Sequence, residues 1–125
     1  MLNPAVASAV VETVCEAAEA RRICELHAFV VMPSHVHLMI APKIPLARVM
    51  NWIKGVSARQ ANRLLDRTGE PFWQDESFDH WVRHWSQFEK IRDYIHGNPV
   101  RAGLVGEEAE WPYSSAAGCG VTDTA

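Results

Sequence analysis

The chain has 125 residues, 48% hydrophobic and 22% charged, with a formal net charge of -3. That size supports one domain with a single modest core, and the charge balance argues mildly against a general nucleic-acid coat protein with a strongly basic face while leaving room for a local basic patch. No apolar run reaches the roughly 20 residues of a membrane span, and Cys15, Cys24 and Cys119, which form no CxxC, favour a reduced, cytoplasmic setting over a disulfide framework.

Asn3-Pro4 has the form of a helix start, with Asn as N-cap and Pro in the first turn. Val6, Val10, Val14 and Ala17 then recur at helical spacing, which predicts an amphipathic helix to about Arg22. Leu26 to Met32 reads as a strand, Pro33-Ser34 as a break, and Val36, Leu38 and Ile40 alternate with His35, His37 and Met39 in a second strand ending at Pro42. A second helix is expected from about Pro45 to Leu65, with Leu46, Val49, Met50, Ile53 and Val56 as its buried stripe and Gly55 as a weak point. Arg59, Arg63 and Arg67, four apart, would form a basic ridge. Thr68-Gly69-Glu70-Pro71 is a turn, and the aromatic stretch Phe72 to Val82 is extended or a strand. A third helix is expected from Ser86, with Glu89 completing a capping box, to Gly97, with Pro99 beyond. From Gly106 the chain is loop-like. Trp111 and Tyr113 fold back on the body, and the tail from about 114 is expected to be mobile.

Two groups of residues can carry chemistry. His35 and His37 are two apart on a strand, so both imidazoles leave one face. Neutral imidazole is the commonest metal ligand, so the pair is either half of a metal site or a packed core pair. Tyr94 and Asn98, four apart, share a face of the third helix. Tyr94 is either a filler with a wet hydroxyl or a nucleophile, and Asn98 either a helix end or a ligand. Lys54, Arg59 and Arg63 are candidate phosphate contacts. Trp73, Phe78 and Trp81 are either core or stacking platforms for unpaired bases.

The stretch Phe72-Trp73-Gln74-Asp75-Glu76-Ser77-Phe78-Asp79-His80, with Tyr94-Ile95-His96-Gly97-Asn98-Pro99-Val100-Arg101-Ala102-Gly103-Leu104-Val105, resembles the REP-associated tyrosine transposases, a branch of the single-tyrosine HUH transposases. Leu26 to Leu38 resembles that family's HUH segment, and Lys54-Gly55-Val56-Ser57-Ala58-Arg59 its middle helix. The resemblance implies an α+β, ferredoxin-like antiparallel sheet with helices on one face and a C-terminal catalytic helix. It also implies a strand ahead of the first helix and between two others. This chain begins almost at that helix, so the expectation is a single domain over 1–125, truncated at its N-terminus, with an internal gap in the sheet or strand exchange with a second copy in a homodimer.

Carried over by the same resemblance, His35, His37 and Asn98 are metal ligands for Mg²⁺ or Mn²⁺ and Tyr94 is the nucleophile. The partner is single-stranded or hairpin DNA, cleaved and rejoined through a 5′-phosphotyrosine. Two alternatives are a DNA-hairpin-binding remnant that no longer cuts and a metal-dependent phosphodiesterase that uses water.

Overall fold

The computed structural model describes residues 3–33, 35–67, 69, 72–73, 78–82 and 85–117, apart from the side chains of 78–82 and 85. Helix α1 (Pro4–Glu19) starts as its sequence dictates. Asn3 Oδ1 accepts from the Ala5 N–H at 2.9 Å and the Val6 N–H at 3.2 Å, and Pro4 stands in the first turn, where its missing N–H costs nothing. The helix ends at Glu19, earlier than Arg22, and Arg22 itself (φ 54) turns the chain into the sheet.

Strands β1 (Cys24–Val31) and β2 (Val36–Pro42) form an antiparallel hairpin in which Val31 faces Val36. Leu26 faces Ile40 and Ala28 faces Met39, so His27 is an extra residue, a β-bulge. The bulge resets the alternation. Leu26, Phe29 and Val31 all face one layer, although 26 and 29 are three apart, while Ala28 and Val30 face the other.

Helix α2 (Leu46–Leu64) buries Val49, Met50, Ile53 and Ser57 at helical spacing and runs unbroken through Gly55. Asp66 (φ 56) ends it: the Arg67 N–H bonds to the Asn62 carbonyl at 2.7 Å, and the Asp66 N–H to the Arg63 carbonyl at 3.3 Å. Arg67 therefore leaves the helix, and of the expected ridge only Arg59 and Arg63 lie on it.

Strand β3 (Phe78–Val82) pairs with β2 in parallel, from Val36 opposite Phe78 to Ile40 opposite Val82. The expected sheet was antiparallel throughout. Here it is mixed, because the α2 crossover between β2 and β3 returns the chain in the same direction. The strand order is β1-β2-β3, and β2 has a neighbour on each side from Val36 to Ile40, so the expected interior gap is closed by β3.

Helix α3 (Phe88–Arg101) covers the opposite face of the sheet from α1 and α2. Both of its expected ends shift. A 3-10 turn (Trp85–Gln87) precedes it, so Gln87 takes the N-cap position, without a side-chain bond, in place of Ser86. The helix also passes through Gly97 and Pro99. Its stop is Gly103 (φ 75), where the Leu104 N–H bonds to the Pro99 carbonyl at 2.9 Å and the Gly103 N–H to the Val100 carbonyl at 3.0 Å.

The chain then returns along β1. The Trp111 indole N–H donates to the Val31 carbonyl at 3.0 Å, the Val31 N–H donates to the Tyr113 carbonyl at 2.8 Å, and Ser115 Oγ bonds to both the N–H and the carbonyl of Phe29. Trp111 and Tyr113 fold back as expected. Ser114 and Ser115 are buried on the strand edge, so the chain is still held at 114, where the sequence suggested it would come loose. Residues 118–125 lie outside the described ones.

Among the described residues the fold is α+β: three α-helices on a three-stranded sheet, with α1 and α2 on one face and α3 on the other. The larger core lies under α1 and α2 and includes Phe29, Leu38, Ile40 and Ile53. The smaller one joins Ala28, Val30 and Met39 to Ile95, the α3 side chain buried in it. Ile95→Ala should therefore cost about 2–5 kcal/mol, read as a lowered denaturant midpoint in circular dichroism.

Candidate active site and basic groove

β2 places His35, His37 and Met39 on the α3 face, because Val36, Leu38 and Ile40 are taken by the larger core. The two imidazoles stack side by side, with ring centroids 6.1 Å apart and planes 13° apart. His35 is exposed and His37 is only 7% exposed. From α3, Tyr94 sets its ring edge-to-face on His37 at 6.2 Å and 84° and remains 47% exposed. The histidine pair and the candidate nucleophile, 57 positions apart between His37 and Tyr94, thus meet on one surface. One turn on, Asn98 Nδ2 donates to the Tyr94 carbonyl at 3.1 Å, which orients the amide along the same helix face.

Among the described residues no three His, Cys, Asp or Glu side chains gather as a metal site. Beside the pair, the Asn98 carbonyl oxygen is of the right kind for a third protein ligand. Two imidazole nitrogens and one amide oxygen, with positions left for phosphate and water, fit Mg²⁺ or Mn²⁺.

Two cationic residues that the sequence reading missed flank Tyr94. Lys90 is one turn before it and, with Gln87 and Ile91, lines a hollow of about 270 Å³ beside the ring. Arg101 lies two turns after it; its guanidinium carbon sits 4.7 Å above the centre of the Tyr94 ring and its Nη2 donates to the Tyr94 carbonyl. A seven-residue spacing on one helix face was the available signal, hidden by the expectation that the helix ends at Gly97.

The expected DNA contacts separate. Arg59 lines a groove of about 660 Å³ with Arg21, Arg48, Asn51 and Trp52, and Arg63 continues the same helix stripe one turn beyond. Lys54 does not line it. Arg21 stacks over the Trp52 ring at 5.7 Å and also reaches Glu16 at 3.5 Å. Arg48 was legible, since 48, 52, 55 and 59 share a helix face. Arg21 was not, because it comes from the end of α1. Trp73 is core: its indole N–H donates to Ser57 Oγ at 2.9 Å and its ring meets Phe72 at 4.7 Å. The side chains of Phe78 and Trp81, like those of the signature residues Glu76, Asp79 and His80, lie outside the described ones.

With this geometry in hand, comparison with known proteins places the chain. It belongs to the family described as Transposase IS200 like, which matches residues 1–98 and so includes His35, His37, Tyr94 and Asn98. Among curated proteins it is similar to the "REP-associated tyrosine transposase" of Escherichia coli (strain K12), 27% identical over 94 residues, which cover 73% of this chain and 53% of that protein. It is also similar to the "Putative REP-associated tyrosine transposase" of Haemophilus influenzae, 28% identical over 104 residues, covering 73% of this chain and 58% of that protein. The chain thus spans a little over half the length of these relatives. No solved structure matches it significantly. No helix among the described residues is long and apolar enough to cross a membrane.

Two titratable groups are perturbed by burial. Burial pushes the Cys24 thiol up to about 11, against the pull of Lys43, which leaves it an inert core group. His96, on α3, has its Nε2 2.6 Å from Ser115 Oγ, and burial lowers its imidazole below the usual 6.5 although Glu108 and Asp93 pull it the other way. A depressed histidine contributes stability that is complete above the unfolded value and is lost as pH falls below it, because the unfolded chain then binds the proton more readily. The melting temperature should therefore fall on acidification below pH 6.5, and His96→Gln, which keeps a partner for Ser115, should show a smaller fall in thermal scans at pH 7.5 and 5.5.

Proposed function

We propose that this chain cleaves and rejoins single-stranded DNA at hairpin (REP-type) elements, with Tyr94 as the nucleophile. The observation that carries the proposal is the edge-to-face packing of the exposed Tyr94 on His37, the buried member of the histidine pair, with 6.2 Å between ring centres. Tyr94 Oη attacks the phosphorus of a phosphodiester, the bond from phosphorus to the 3′ oxygen breaks, and the phenol proton passes to that oxygen or to water. The chain is left as a 5′-phosphotyrosine and the DNA with a free 3′-hydroxyl. The reverse attack by a 3′-hydroxyl rejoins a strand and releases Tyr94, because the covalent link retains the energy of the cleaved bond.

His35, His37 and the carbonyl oxygen of Asn98 are the residues to hold a divalent cation, Mg²⁺ or Mn²⁺. Such an ion supplies charge neutralisation and polarisation at the non-bridging phosphate oxygens. Lys90 beside Tyr94 adds a positive charge where the DNA backbone must come in. Family membership and the similarity to REP-associated tyrosine transposases support the reading.

Tyr94→Phe should abolish the covalent protein–DNA adduct on a hairpin-bearing single-stranded oligonucleotide with Mn²⁺, while binding measured by fluorescence anisotropy stays within about twofold. Cleavage by the Phe variant would show that another nucleophile acts. Binding without an adduct in the unaltered chain would identify a hairpin-binding remnant.

The groove between α1 and α2 is the second part of the proposal. Three guanidinium groups and the Trp52 ring suit the backbone and an unpaired base of a nucleic-acid strand. Arg48→Ala and Arg59→Ala should each weaken DNA binding and lower the slope of log affinity against log salt by about 1, checked by anisotropy titrations across a salt series.

A further inference from the structure

We infer that Arg101 is a positioning residue for Tyr94 and that Gly97 is the gap in α3 that lets it reach. The inference rests on the reading of Tyr94 as nucleophile but not on the identity of the DNA. A helical side chain points back toward the N-terminus of its helix. Arg101 follows this rule over two turns. Its side chain lies along α3, passes Gly97 and ends on Tyr94. There the planar guanidinium makes two kinds of contact. Nη2 donates to the Tyr94 main-chain carbonyl, and the guanidinium carbon stands 4.7 Å over the ring centre, within cation–π range.

The path of Arg101 depends on residue 97 having no side chain. A Cβ added there would run into the Arg101 guanidinium, whose Nη1 it would strike first. Gly97 is buried and sits inside the helix, where glycine costs about 1 kcal/mol relative to alanine. Its backbone needs no left-handed turn, since the helix stops at Gly103 instead. The clearance for Arg101 is what glycine supplies at this position.

The consequence is mechanical. An exposed tyrosine on a helix face swings freely between rotamers. Tyr94 instead has His37 packed on it with the two ring planes nearly perpendicular, and Arg101 over its ring. Together the two contacts restrict where its hydroxyl points. In-line attack on phosphorus requires that direction to be held, and a misplacement of about 1 Å is enough to slow such a step a hundredfold.

The test uses the full chain labelled with 3-fluorotyrosine. Tyr94 and Tyr113 are its two tyrosines, so Tyr113→Phe assigns the ¹⁹F resonance of Tyr94. Arg101→Met keeps the stem and removes the charged fork. Gly97→Ala keeps Arg101 but displaces it. Both should shift and narrow the Tyr94 resonance toward that of a freely rotating ring, without moving Tyr113, and Arg101→Lys should give an intermediate position. In single-turnover assays with Mn²⁺ and saturating oligonucleotide, Arg101→Met and Gly97→Ala should slow adduct formation by about 10- to 100-fold, with DNA affinity within about twofold and Arg101→Lys partly restored.

A Tyr94 resonance indifferent to both substitutions overturns the inference, whether or not the chain cleaves DNA. So does a resonance that moves while the adduct forms at the unaltered rate. A resonance that moves on substitution, when the unaltered chain forms no adduct, leaves the lock in place and removes the proposed reaction instead. Arg101 is exposed, so Arg101→Met should retain the unaltered melting curve, and it decides the matter if Gly97→Ala fails to fold.

Discussion

The period-two alternation of β2 is the constraint on which the rest of the molecule depends. Val36, Leu38 and Ile40 are claimed by the core under α1 and α2, so His35, His37 and Met39 have no choice but the α3 face. A slip of one residue would bury both imidazoles among leucine and valine side chains and send three aliphatic groups toward Tyr94. The strand is pinned on both sides against that slip, by β1 from Val31 to Cys24 and by β3 from Phe78 to Val82. The bulge at His27 absorbs an odd residue in β1, so the neighbour keeps its own two faces in step without disturbing β2. The candidate site is in this sense a by-product of core packing: burying one set of residues aims the other.

Charge is distributed just as unevenly as polarity. The chain as a whole is mildly acidic, yet α2 carries Arg48, Lys54, Arg59 and Arg63 and no carboxylate, while α1 carries Glu12, Glu16 and Glu19 and no cation. The two helices lie in the same layer. Arg21, just past the end of α1, adds to the α2 stripe and turns a helix face into a groove. Field strength at a surface is set by the charges within a Debye length of about 8–10 Å, so the net value for the chain says little about what either helix attracts.

Much of this was legible beforehand because it is local. The Asn3 cap, the alternation of β2, the buried stripe of α2 and the side of α3 that bears Tyr94 and Asn98 each follow from a few neighbouring residues. What could not be read came from distance or from competition. Parallel pairing of β3 with β2 depends on how a whole crossover closes. The burial of Ser114 and Ser115 depends on Phe29, 86 positions away from Ser115, whose backbone needed partners at the sheet edge. Ser86 makes a good cap in isolation but loses its place to a 3-10 turn. Gly97 and Pro99 together read as a stop. They failed to act as one because Ile95, Gly97 and Pro99 are all buried, so packing against the sheet outweighs their poor helix propensity.

That last outcome bears on the site directly. A helix interior rarely holds a glycine and a proline two residues apart, since the first raises the cost of ordering the backbone and the second removes an N–H from the ladder. Here both fall in the last two turns of α3, within five positions of Tyr94. Departures from local preference collect where a structure has some other use for the residues involved. Pro99 stiffens the backbone immediately after Asn98, whose amide is already tied to the Tyr94 carbonyl, and Gly97 clears the way for Arg101 to reach the same carbonyl. Two donors from successive turns therefore converge on the main chain of one tyrosine. A helix free of these costs, with alanine at 97 and no proline at 99, would be more stable by itself. It would also leave the tyrosine as an ordinary exposed side chain.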